Sequence, residues 1–202
     1  MDLRELLGNL MKLDFIDPED IPNIELYMDQ VTTFMDDQLK GCKRNEGDKI
    51  LTKTMINNYS KNHLLPPSNK KKYSKEHLIL LIYIYYLKNF LSISDIKNLL
   101  SPLIQMFYDK TDQGLEFTDI YTELFHEESK HYKTLMKDLL NTLKMSRTSF
   151  CDIEDSDERE FLQNLTFITT LSFDIYMKKR VIEGIIDSLY TPEDAKKKKK
   201  KS

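Results

Sequence analysis

In the segment TKTMINNYSKN, residues 52–62, Lys53, Thr54, Asn57, Asn58 and Lys61 supply the groups that duplex DNA requires of a protein. Amides and a hydroxyl of this length reach base edges, and asparagine can bind adenine through N6 and N7. The two ammonium groups suit phosphate oxygens. A little further on, Lys70, Lys71 and Lys72 add three adjacent cations. Tyr59 and Tyr73 offer hydroxyls to a sugar-phosphate backbone, although a tyrosine at a helix end is as readily a half-buried anchor. Lysine point charges position a duplex without reading it. Specificity is then expected from the few short polar side chains, from DNA shape, or from the spacing of paired sites.

Other chemistries are weakly supplied. His126-Glu127-Glu128-Ser129-Lys130-His131 invites a metal reading, but histidines five residues apart stand about 140° apart around a helix. Glu128 and His131 make a single ExxH, whereas a di-iron bundle needs two and further glutamates. A solvated helix face is expected there, with no metal and no cofactor. Cys42 neighbours Lys43 and Arg44, which favours a thiolate and hence redox sensing; an inert loop cysteine is the expectation. Cys42 and Cys151 form no CxxC, so neither a disulfide framework nor a zinc site is implied, in keeping with a reducing compartment. No GxGxxG or GxxxxGK[ST] cradle and no local grouping of nucleophile, acid and base occurs. No catalytic residue, and no enzyme, is expected.

The elements that must carry the polar and basic residues are legible in composition. The chain has 202 residues and a net charge of −3; 40% of residues are hydrophobic, 31% charged, and only five are glycine. Long Leu/Ile/Lys/Glu-rich runs with sparse glycine favour an all-α protein. Charge is segregated. Residues 1–39 hold 2 basic and 10 acidic residues, net −8, and residues 40–88 hold 11 basic and 3 acidic, net +8. Residues 89–195 hold 11 basic and 20 acidic, net −9, before the six lysines 196–201. A basic block within an acidic chain is an electrostatic footprint for a polyanion. The opening MDLRELLGNLMKLDF has no charged stretch followed by an apolar core, and the greasiest run, Leu78 to Leu87, is short of the ~20 residues a bilayer needs. A cytoplasmic protein without membrane attachment is expected.

Periodicity predicts helices over 3–13, over 24–39 with Leu26, Tyr27, Val31, Phe34 and Met35 on one stripe, and over 52–62 with Thr52 as N-cap. In the last, Met55, Ile56 and Tyr59 form the buried face and Lys53, Asn57 and Lys61 a polar one. Leu64-Leu65-Pro66-Pro67 ends it. A helix over about 75–90 is apolar all round and therefore buried. Ser92-x-x-Asp95 resembles a capping box for the next helix, which Pro102 is expected to interrupt before a short helix over 103–110. Two long helices follow, about 115–145 and 157–190.

The ordered set Tyr59, Leu65-Pro66-Pro67, Tyr73-Ser74-Lys75-Glu76-His77-Leu78 and Leu91-Ser92-Ile93-Ser94-Asp95-Ile96-Lys97-Asn98-Leu99-Leu100 resembles the DNA-binding head of MerR-type regulators. The LTKTMINNY and KKYSKEHL segments are also similar to the YkrK-like family of bacterial proteins. The resemblance implies a winged helix-turn-helix in which 52–62 is the recognition helix and 68–73 a short basic wing. It departs from the MerR pattern where Lys70-Lys71-Lys72 replaces a Gly-Tyr-Arg turn, where Asn57 replaces an Arg, and where a long turn, 40–51, precedes the second helix.

The expected organisation is a MerR-like DNA-binding domain over 1–100 with its N-terminal helix, a helical dimerisation or effector domain over 101–190, and a disordered lysine tail over 191–202. The expected function is a transcriptional regulator that binds double-stranded DNA as a homodimer, with an effector the sequence does not identify. The alternative is a helical interaction or ligand-sensing module without DNA binding, which the acidic C-terminal half favours.

Overall fold

A computed structural model describes residues 16–109 and 116–189. The expected helix over 3–13 and the lysine tail lie outside the described residues. Among the described residues the protein is mostly helical, with six α-helices and one small two-stranded sheet. The order is β1 (Leu26–Tyr27), α1 (Met28–Gln38), a 3₁₀ turn (Lys40–Cys42), α2 (Lys53–Lys61), β2 (Lys72–Tyr73), α3 (Lys75–Leu87), α4 (Ile93–Asp109), α5 (Phe117–Ser146) and α6 (Ser156–Leu189). No helix among the described residues is long and apolar enough to cross a membrane. The chain divides into two compact units, residues 1–127 and 128–202, and α5 runs through the division.

The core of the first unit is built around α3. His77 to Ile82, with Ile84 and Tyr85, are buried, which follows from a helix with apolar residues on every side. Val31, Met35 and Leu39 of the α1 region, Ile56 and Tyr59 of α2, and Ile96 and Leu100 of α4 are buried as well. From α5, Tyr121 donates its hydroxyl to the Ile16 carbonyl at 2.7 Å in the interior.

Two expectations are corrected. The helix placed at 24–39 begins at Met28, because Leu26 and Tyr27 are extended and pair antiparallel with Tyr73 and Lys72. The Tyr27 amide then donates to Gln30 Oε1 at 2.9 Å, satisfying one of the donors a helix start leaves open. Pro102 does not end its helix; α4 runs through it from Ile93 to Asp109. Pro102 is exposed, so the carbonyl it deprives of an amide lies where water can serve it, while Ile96 and Leu100 hold the opposite side in the core. The Ser92 box forms in altered shape: Ser92 Oγ accepts the Asp95 amide at 3.1 Å and donates to its carboxylate at 2.7 Å.

In the second unit, Gln163 fastens the link between α5 and α6. Its amide nitrogen donates to the Arg147 and Ser149 carbonyls at 2.9 and 3.0 Å. Asp155 Oδ1 accepts the amides of Asp157 and Glu158, each at 2.9 Å, and so caps α6. Of the 34 residues of α6, only Gln163, Phe167 and Ile186 are buried.

Candidate nucleic-acid interface

Helix α2 is fixed at both ends by its own sequence. Thr52 is extended and its hydroxyl accepts the Met55 amide at 3.2 Å. At the other end His63 takes a left-handed φ of 57°. The Leu64 amide reaches back to the Tyr59 carbonyl at 2.9 Å and the His63 amide to that of Ser60 at 3.1 Å. This is a Schellman ending, and it sends the buried Leu64 and Leu65 into the core. Between these ends the helix is amphipathic. Ile56 and Tyr59 face inward, while Lys53, Thr54, Asn57, Asn58 and Lys61 are all exposed. The polar side chains predicted for DNA contact therefore share one accessible face.

The basic segment 68–73 is a tight hairpin. Asn69 and Lys72 exchange backbone hydrogen bonds of 3.1 and 2.8 Å, and the two residues between them, Lys70 and Lys71, have φ of 48° and 66°. Two consecutive positive φ values closed by a reciprocal pair mark a type I′ turn, which ordinarily takes Asn-Gly. Two lysines occupy that geometry, and both are exposed at the tip. Lys72 is half-exposed at the start of β2.

The hairpin and α2 meet the same short stretch of chain. Lys72 Nζ lies 3.9 Å from Glu25 Oε2 and 5.5 Å from the centre of the Tyr27 ring. Two residues along, Asp29 pairs with Lys53 at the N-terminus of α2. The segment 25–29 thus brings the base of the hairpin and the start of α2 to one neighbourhood. These pairs are open to solvent and stabilise little on their own, but they set the positions of two cations and reduce the net positive charge beside them.

Tyr59 and Tyr73, read from the sequence as backbone contacts or half-buried anchors, pack inward. Both are buried, at 7% and 5% exposure, so their rings serve the core and not the exposed face. Burial raises the Tyr59 hydroxyl pKa. Tyr73 meets His77 edge-on at 5.6 Å. His77 accepts the Ser74 amide through Nδ1 at 3.1 Å, which ties the hairpin to the start of α3. Burial lowers the His77 pKa, opposed by hydrogen bonding to the Pro67 backbone and by the Glu76 charge. The proton on the neutral ring then belongs on Nε2, since Nδ1 is accepting.

Tyr27 leaves the predicted apolar stripe: the residue is 54% exposed, with Lys72 Nζ beside its ring. Glu25 and Asp29 stand beside the lysines, and in the sequence only the net negative charge of residues 1–39 signals them. Among the described residues, no three His, Cys, Asp or Glu side chains gather to hold a metal ion. Cys42 lies against the Tyr85 hydroxyl.

An open cleft of about 440 Å³ lies elsewhere in the first unit, between Thr32, Thr33, Asp36 and Asp37 on α1 and the 43–49 loop. The Lys43–Asp36 pair at 2.7 Å closes part of its wall. Four carboxylates (Asp36, Asp37, Glu46 and Asp48) against two lysines (Lys43 and Lys49) give its lining a net charge of −2.

No curated protein and no solved structure matches the chain. The sequence pattern of a domain of unknown function, DUF1836, matches residues 16–124, which covers β1 through the beginning of α5 and so includes α2 and the hairpin. The chain belongs to the DUF1836 family.

Proposed function

We propose that this protein is a DNA-binding transcriptional regulator whose α2 enters the major groove while the 69–72 hairpin lies against the phosphate backbone. The order helix, turn, helix, hairpin would make the first unit a winged helix-turn-helix of MerR type. One observation carries the reading: Lys53, Thr54, Asn57, Asn58 and Lys61 form the exposed face of one capped helix, with Lys70 and Lys71 exposed on the hairpin whose base reaches the same 25–29 segment. A recognition helix needs short polar groups for base edges and cations for phosphates, and this face holds both. Asn57 is the first choice for adenine. Lys53, Lys61, Lys70 and Lys71 would neutralise phosphates.

The test is fluorescence anisotropy with random-sequence duplex DNA at several salt concentrations. Binding should weaken steeply with salt, since each neutralised phosphate adds about 0.9 to the slope of log affinity against log salt. Replacing Lys70, Lys71 and Lys72 together with alanine should flatten that slope. The second reading, a helical interaction module without DNA binding, is favoured by Asp29 and Glu25 beside Lys53 and Lys72. It gains if affinity ignores both salt and the triple substitution.

A further inference from the structure

His77 stands where three segments of the first unit meet. Its Nδ1 accepts the Ser74 amide at 3.1 Å, with Ser74 Oγ 2.9 Å from the same nitrogen. Its ring meets that of Tyr73, at the base of the hairpin, edge-on. It also hydrogen-bonds to the backbone of Pro67 and Pro66, just beyond α2. A proline offers only its carbonyl, so the ring donates there through Nε2. One side chain, 3% exposed, therefore fastens the exit of α2, the hairpin and the start of α3 to one another.

The fastening requires a neutral ring. In a capping box the third helical residue accepts the N-cap amide, a role that glutamate or glutamine ordinarily fills. Histidine fills it here, and does so only while Nδ1 carries no proton. A proton on Nδ1 sets a donor against the Ser74 N–H. It also puts a cation in the first turn of α3, where the helix dipole favours anions. Two charged groups act on the ring in the opposite sense, Glu76 on its own helix and Glu25 beside β1. Glu76 already accepts the Ser74 hydroxyl, and Glu25 is shared with Lys72. Burial prevails over both and holds the His77 pKa below its ordinary value of 6.5.

We propose that His77 is a proton-operated latch: protonation drives its ring out of the junction and releases the 69–73 hairpin from α3 and from the exit of α2 together. The latch itself is independent of what the hairpin binds; its effect on DNA rests on the reading of the hairpin as a phosphate-binding element. The released ring takes up its proton at the ordinary histidine value and the latched ring resists it, so acid favours release. Between pH 7.5 and 5.5 the ratio of released to latched protein should grow by up to about tenfold.

Amide hydrogen exchange of the full chain at these two pH values, with intrinsic rates divided out, tests the latch without DNA. Protection of the Asn69, Lys72 and Ser74 amides should fall in acid by up to about tenfold, while staying below that of the buried α3 amides at both pH values. In His77→Gln, whose side-chain oxygen can accept from Ser74 without titrating, hairpin protection should hold constant. Hairpin protection that ignores acid, that changes equally in His77→Gln, or that equals that of α3 throughout, as in whole-chain unfolding, would overturn the latch. Duplex anisotropy separates this from the DNA reading. At pH 5.5 the wild type should bind more weakly than His77→Gln, against the strengthening that a more positive protein brings in acid. Equal affinities there would overturn the effect of the latch on DNA. Binding absent from both proteins at every pH would sink the DNA reading and leave the exchange result to decide the latch.

Discussion

Exchanging Lys70 for Asn and Lys71 for Gly separates what the hairpin tip costs from what it does. Both lysines hold left-handed backbone, with φ of 48° and 66°, and such a conformation costs an L-residue about 1–2 kcal/mol. Asn-Gly is the pair the type I′ turn prefers. The extra freedom that glycine brings to the unfolded chain opposes part of the gain, by about 0.5–1 kcal/mol. K70N/K71G should therefore stabilise the protein by about 1 kcal/mol net and raise its Tm by about 2–4 °C. The same change removes two exposed cations. If each neutralises one phosphate, the salt slope should fall by about 1.8, which at 0.1 M salt corresponds to a loss of affinity on the order of 60-fold. Thermal unfolding by circular dichroism and DNA anisotropy on the same preparations read the two effects. A more stable protein that binds duplex as tightly as before would refute the assignment of these lysines to phosphates. A less stable one would refute the turn geometry.

Asn57→Ala should leave the salt slope unchanged while costing about 1–3 kcal/mol of discrimination at one base pair of a selected site, measured by competition between site variants. Thr52→Ala removes the cap on α2 and should lower urea stability by about 1 kcal/mol. Acid should destabilise the fold through His77. Its pKa is lowered in the native state, so the unfolded chain binds the proton more tightly and stability falls as pH drops below the ordinary histidine value of about 6.5. Urea midpoints at pH 7.5 and 5.5 measure this, and His77→Gln should flatten the difference while lowering stability at both. Lys72→Ala should reduce the salt slope by less than Lys70→Ala, because Glu25 already shares the Lys72 charge.

Much of the fold is written in local patterns. Thr52 before Met55, Ile56 and Tyr59 gives a capped amphipathic helix, and LILLIYIYYL over 78–87 gives a buried one; the structure has both. The exposed polar face of α2 follows from the same spacing. What local pattern lacks is anything set by a distant partner. Leu26 and Tyr27 form a strand only because Tyr73 and Lys72 lie beside them, and two residues are too few for alternation to reveal. The hairpin tip was readable as a basic link but not as a type I′ turn, because Lys70 and Lys71 carry none of the usual turn residues. Pro102 misleads for the converse reason: its local cost is offset by packing on the other side of α4. The fate of Tyr59 and Tyr73 turned on burial, which a single aromatic residue does not announce.

Hydrogen exchange of the full chain with and without a selected duplex tests the central claim most directly. If the exposed face of α2 and the hairpin dock on DNA, amides in 53–62 and 69–73 should gain protection, and that gain should vanish at high salt. Protection confined to other segments, or none at a DNA concentration that saturates anisotropy, would contradict it.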